Sequence, residues 1–187
     1  WLSYVAAVTP TIRLATGIVI LPQRHPLYVA KELATLDTLS KGRVIFGIGV
    51  GWLQEEFDAL GIPFDERAAR TAEMVRAIRS LWKPEPEPFH GKFHRWEKLE
   101  SHPKPVQQPG VPIVVGGHTE LAARRAARYG DGFFPGVADE AKLVTLLAYV
   151  NPLVVWIWIG GLVMALGTAV AVWPSASERA VPYAAIS

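Results

Sequence analysis

Two glycine clusters carry most of the chemistry that the residue types allow. In RVIFGIGVGWLQEEF, Arg43 to Phe57, an apolar run opens into Gly47, Gly49 and Gly51. Trp52 to Leu60 then reads as a short helix stopped by Gly61. A buried strand passing through glycines into a helix can bring bare backbone up to a ligand, or pack a strand end tightly against a neighbour. The spacing is G-x-G-x-G, whereas the dinucleotide fingerprint needs a third glycine at position 52, which is Trp. In the second cluster, Gly116-Gly117-His118-Thr119 lies between a strand, Val111 to Val115, and an Ala-rich helix running to Tyr129. Free backbone N–H groups and the helix dipole at such a start favour a phosphate. A tight turn with Thr119 as cap would use the same residues, and Glu120 would repel a close anion.

The remaining reactive side chains are sparse. Arg24 and His25 follow the apolar run Ile12 to Leu21, at what would be a ligand rim, and Arg24 is suited either to an acidic group or to solvent. Gly17 inside that run marks a bend or a close approach. Glu55 and Glu56 fall on a wet helix face, so the catalytic acid or base stays unassigned. His90 and His94 have a zinc-like spacing, but Gly91 breaks a helix there and only His102 is near. They read as surface histidines on a hairpin, and no metal site is expected. With zero cysteines there is no thiolate nucleophile, disulfide or cysteine metal site.

The elements that must position these residues alternate along the chain. Trp1 to Val8 reads as the end of a packed helix and Ile12 to Leu21 as one buried strand. Pro26 starts a helix to Leu39, and the strand from Arg43 follows. Asp65 is placed to cap a helix ending at Trp82, with Met74, Ile78, Leu81 and Trp82 facing inward. Phe89 to Trp96 suggests a hairpin. Asp131 to Pro135 reads as the last strand of the series. Apolar strands alternating with helices predict an α/β fold with a parallel sheet. About four barrel-type strands are visible, so an eight-stranded barrel would be partial.

Taken in order, IRLATGIVILPQRHPLYVAKELATLDTLSKGRVIFGIGVGW, EEFDALGIPFDERAAR, the FHGKFHRW and PKPVQQP runs, and VPIVVGGHTELAARRAARYGDGFFP resemble the bacterial luciferase-like monooxygenase family. The resemblance covers about residues 1–137 and is strongest to the deazaflavin (coenzyme F420) branch. It implies a TIM-type (β/α)8 barrel of which the first two strands and those after Phe134 are not matched. It also implies F420, or alternatively FMN, at the carboxyl ends of the strands, and redox chemistry on a small-molecule substrate. By this resemblance Thr16, Gly17 and Ile18 hold a non-prolyl cis peptide behind the coenzyme ring. Gly116, Gly117, His118 and Thr119 would take its phosphate, with Gly49, Gly51 and Arg24 around it. Trp52 stands where some deazaflavin-dependent dehydrogenases carry an acid. The barrel part, residues 1–140, is expected to be cytoplasmic, with oligomer formation open.

Composition changes after Lys142. Nineteen basic and seventeen acidic residues leave a net charge of +2 with no charged block, which argues against nucleic acid as a partner. Mean hydropathy is nevertheless +0.21, and the excess is local. Residues 141–150 form a junction, 151–174 an apolar transmembrane-type helix, and 175–187 a tail. The apolar segment YVNPLVVWIWIGGLVMALGTAVAVWP resembles a membrane helix of the haem-lyase subunit of cytochrome c biogenesis. From Leu153 to Trp173 only Thr168 is polar, and at ~1.5 Å per residue the helix would cross a hydrocarbon core. In a glycosylation-mapping assay on residues 140–187 this segment should insert. Ala165→Arg should oppose insertion by about 2.5–3.5 kcal/mol. A native segment that stays uninserted, or an Ala165→Arg variant that inserts equally well, would count against a membrane anchor.

Overall fold

The computed structural model describes residues 1–136. The expected junction, apolar helix and tail lie outside them. Among the described residues no helix is long and apolar enough to cross a membrane.

The sheet is parallel throughout and centred on β3, Val44–Gly49. On one side β3 pairs with two short strands, β1 (Leu14–Ala15) and β2 (Val19–Ile20). On its other side come β6 (Ile113–Gly117) and β7 (Gly132–Pro135). Alternation along the pleat sends Val44, Phe46, Ile48, Ile113 and Val115 into one buried core. The helices α2 (Pro26–Ser40), α4 (Arg67–Trp82) and α5 (Glu120–Tyr129) contribute Leu33, Ile78 and Ala126 to that same core. Burial of such side chains contributes about 1.5–3 kcal/mol each. The opposite face carries the small or partly exposed Ile45, Gly47, Gly49, Val114 and Gly116. This is a (β/α) half-barrel, whose helix-free face is the one that points inward in a TIM barrel.

Three local expectations are corrected. Ile12 to Leu21 is not one strand, because residues 16–18 leave the ladder between β1 and β2. The helix α1, Leu2–Val8, buries no residue. Asp65 does not cap α4: it lies in a 3-10 turn, Phe64–Glu66, and the helix begins at Arg67 without a side-chain cap. The start is held instead by Arg67, which donates to the Phe64 carbonyl at 2.9 Å, and by the Arg70–Glu66 pair at 2.9 Å. The short helix after the glycines, α3, covers Gln54–Ala59, so Trp52 precedes it instead of opening it.

Buried carboxylates fasten the long connections to this layer. Asp37, fully buried on α2, accepts from the backbone N–H groups of Val106 and Gln107 at 2.9 and 3.0 Å, and from the Gln107 amide at 2.7 Å. Glu73 on α4 does the same for the hairpin of β4 (Phe89–His90) and β5 (Arg95–Trp96). Its oxygens accept from the N–H groups of Lys92, Phe93 and His94 at 2.6, 2.9 and 2.8 Å. A side chain at Gly91 would come within 2.3 Å of that carboxyl group. His94 is therefore not a surface histidine: it lies against Glu73, Nδ1 at 3.2 Å, with its ring edge-on to His25. His90 and His102 are exposed.

Burial alone would raise the Glu73 pKa, but the three backbone donors and His94 outweigh it and hold the carboxyl below its ordinary value of 4.5. Burial lowers the His94 pKa against the opposing pull of Glu73. A depressed carboxylate stabilises the fold fully above its unfolded pKa and loses that contribution as pH falls through the folded one. Glu73→Gln should therefore cost about 1.5–3 kcal/mol at pH 7. The gap between wild type and variant should shrink in urea unfolding as the pH drops below 4.5. A gap independent of pH would contradict the ionised anchor.

Candidate functional site

The site begins with the segment that leaves the ladder. β1 pairs with the start of β3, Leu14 opposite Val44, and β2 with its end, Val19 opposite Ile48. Five residue steps on one side thus meet four on the other, so Thr16–Ile18 bulges onto the inward face. Thr16 ties the bulge down by donating its hydroxyl to the Gly47 carbonyl at 2.8 Å. The Gly17–Ile18 peptide is cis.

This bulge accounts for glycines on both neighbouring strands. A Cβ at Gly47 would lie 2.0 Å from the Thr16 carbonyl oxygen. At Gly49 it would lie 2.5 Å from Ile18 Cδ1, and at Gly116 2.7 Å from Ile18 Cγ2. No residue with a side chain fits beneath Ile18 at these positions without moving it. Gly51 differs, with φ +82° and its would-be Cβ 2.7 Å from the Phe57 ring. A Cβ at Gly17 would meet no atom within 4 Å, so packing among the described residues does not require glycine there.

Above this floor, at the carboxyl ends of β2, β3, β6 and β7, lies a cleft of about 540 Å³. Gly17, Ile18, Gly49, Gly51, Gly116, Gly117, His118 and Thr119 all line it. Of the other two residues singled out from the sequence, Thr16 is the tether beneath the floor, and Arg24 is exposed and does not line the cleft. Thr119 does cap α5, its hydroxyl accepting from the Ala122 N–H at 3.2 Å. Gly117 is bare because a Cβ there would fall 2.4 Å from that of Ala122. The cap and the cleft wall are thus the same turn.

The lining residues that the sequence did not mark as ligand contacts include Arg125, Phe134 and Trp52, besides small and aliphatic ones such as Ile20, Val50 and Ala122. Arg125 sits on α5, and helical side chains lean toward the amino end, here toward the glycine turn. The Arg124-Arg125 pair beside a helix start was the available signal. Glu120, expected to repel an anion, accepts from Arg124 Nε at 2.9 Å, which offsets its charge locally. The side chains with ionisable groups on the described cleft wall are then His118 and Arg125. A second cleft, about 620 Å³, opens before β6 around Trp82, Pro109 and Pro112, at the end of the strands that in a barrel serves stability. There Arg79 pairs with Asp131 at 2.9 Å, and Asp131 also accepts from the Ile113 N–H.

The arrangement has known counterparts. The family model for luciferase-like monooxygenases matches residues 1–152. An uncharacterized protein of Mycobacterium tuberculosis is 37% identical over 147 residues, covering 79% of this chain and 50% of that protein. The FMNH2-dependent dimethylsulfone monooxygenase of Pseudomonas putida is 38% identical over 112 residues, 58% of this chain and 31% of the enzyme. Among solved structures, a monooxygenase from Streptomyces bottropensis superposes with a TM-score of 0.72 at 37% identity, covering 80% of this chain and 46% of that one. An F420-dependent secondary alcohol dehydrogenase, bound to an F420–acetone adduct, gives 0.63 at 28% identity, with 71% and 41% covered. The chain thus spans about half the length of the first of these relatives. With the half-barrel, the glycine floor and the family match in agreement, the chain belongs to the luciferase-like monooxygenase family.

Proposed function

We propose that the protein binds the deazaflavin coenzyme F420 in the cleft at the carboxyl ends of its strands, for hydride transfer to or from a small organic substrate. The observation that carries this is the division of the cleft. One part is an apolar floor of Ile18 over Gly49 and Gly116. The other is the start of α5, with His118, Thr119 and the Arg125 guanidinium. A planar ring carrying an anionic tail fits that pairing, because Ile18, seated low on bare backbone, leaves the space above it to the ring and the helix start with Arg125 favours the anion. The likeness to the F420-dependent alcohol dehydrogenase supports the same coenzyme. FMN is the alternative, supported by the FMNH2-dependent relative, and a glycine floor suits either ring.

When bound, the coenzyme ring would supply the hydride chemistry. The chain's own part is placement. Ile18, held by the Thr16 tether, backs the ring, while Gly116 and Gly117 admit the tail to the helix start. Arg125 adds the charge that a phosphate requires. His118 adds an imidazole to the described cleft wall beside that guanidinium.

Arg125→Ala is the direct test, since a side chain at Gly117 would disturb Ala122 as well as the ligand. The full chain is titrated with F420 and with FMN, following the coenzyme's visible absorption. Arg125→Ala should weaken binding about tenfold or more, in the range of a lost charge-assisted hydrogen bond. It should also flatten the salt dependence. Binding of neither coenzyme to the wild type would overturn the proposal.

A further inference from the structure

The end of the cleft away from Arg125 contains a residue that the fold alone does not explain. Trp52 is 80% exposed yet lines the cleft wall. The other tryptophans of the layer are accommodated differently. Trp82 is buried and donates its indole N–H to the Ala30 carbonyl at 3.0 Å, and Trp96 stacks on Phe89. Among the described residues Trp52 enters no such ring pair or hydrogen bond.

Its placement is nonetheless set by packing. Gly51 takes φ +82°, a conformation that favours glycine. A Cβ there would lie 2.7 Å from the Phe57 ring, which is fully buried, and 2.9 Å from Ile20. The backbone therefore enters Trp52 in a fixed direction, before α3 begins at Gln54. The neighbouring wall is apolar, made of Ile18, Ile20 and Val50, and no charged side chain of the described cleft lies on β2 or β3. Glu56, on the nearby α3, is engaged by the Gln23 amide at 3.0 Å and does not line the cleft.

We propose that Trp52 is a substrate-positioning residue, and that the substrate is an apolar organic molecule packed between its indole and the bound coenzyme. This rests on the coenzyme site proposed above. A carboxylate or phosphate substrate at this end would meet no ionic partner among the described residues, and losing its hydration unpaired is costly. An alicyclic or aromatic molecule would instead cover the exposed indole and the wall of Ile20 and Val50.

The test uses the full chain saturated with F420, or with FMN if that is the coenzyme bound, and monitors coenzyme occupancy by visible absorption. Cyclohexanone and benzyl alcohol serve as apolar probes and lactate as the charged one. The apolar probes should change tryptophan emission saturably in the wild type, and Trp52→Phe should abolish the change. Trp52→Ala should raise their Kd about tenfold, as loss of an aromatic anchor does. Lactate should show no saturable binding. Because Trp52 is exposed, its truncation removes no core contact; should Trp52→Ala nevertheless be insoluble, the emission difference between wild type and Trp52→Phe decides. If the coenzyme binds but the probes act alike on all three proteins, or lactate binds as tightly as they do, the inference about Trp52 fails alone. Failure of the wild type to bind either coenzyme overturns both proposals.

Discussion

The packing of Ile18 against bare backbone on two adjacent strands is the constraint on which the site depends. A one-residue bulge between β1 and β2 pushes Thr16–Ile18 onto the inward face. The space it needs is taken from Gly47, Gly49 and Gly116. Any side chain at Gly49 or Gly116 would lift Ile18, and lifting Ile18 would fill the floor of the cleft. The glycines are thus explained by a contact within the chain, and their service to a ligand follows at second hand, through the apolar surface that contact produces. Thr16 makes the arrangement specific, since its hydroxyl reaches Gly47 only when the bulge is in place.

A second level of order keeps the helix layer in register with this floor. Asp37 and Glu73, both buried, each collect three N–H donors from connections distant in sequence. Asp131 performs a lighter version between α4 and the start of β6. Buried carboxylates are costly unless fully hydrogen-bonded. These are supplied with backbone donors, so they define which loop conformations are compatible with the packed core. The Trp82 indole adds a neutral tie between α4 and α2.

Much of this was legible from residue patterns, because apolar runs and glycine punctuation are local signals. The strands β3, β6 and β7, the helix opened by Pro26 and the hairpin around Gly91 follow from composition and spacing. The two glycine clusters converge on one cleft, although they are more than sixty residues apart in the chain. What escaped is non-local. That Ile18 is the reason for Gly49 and Gly116 cannot be read along either strand. His94 looks like an exposed hairpin residue until α4 brings Glu73 against it. Asp65 satisfies the pattern of a cap, but Pro63 and the turn after it delay the helix past that position. Arg24 sits at the end of the right strand but is exposed and does not line the cleft, whereas Arg125 reaches it from a helix whose Ala-rich sequence drew attention only to its start.

The central claim is that the coenzyme lies on the Ile18 floor with its phosphate at the start of α5. The most direct measurement is a crystal structure of the full chain grown with F420. It should place the ring over Ile18, Gly49 and Gly116 and the phosphate within hydrogen-bond distance of the turn from Gly117 to Thr119 and of Arg125. Coenzyme bound instead at the opposite strand ends, between Arg79 and Pro109, would contradict the account.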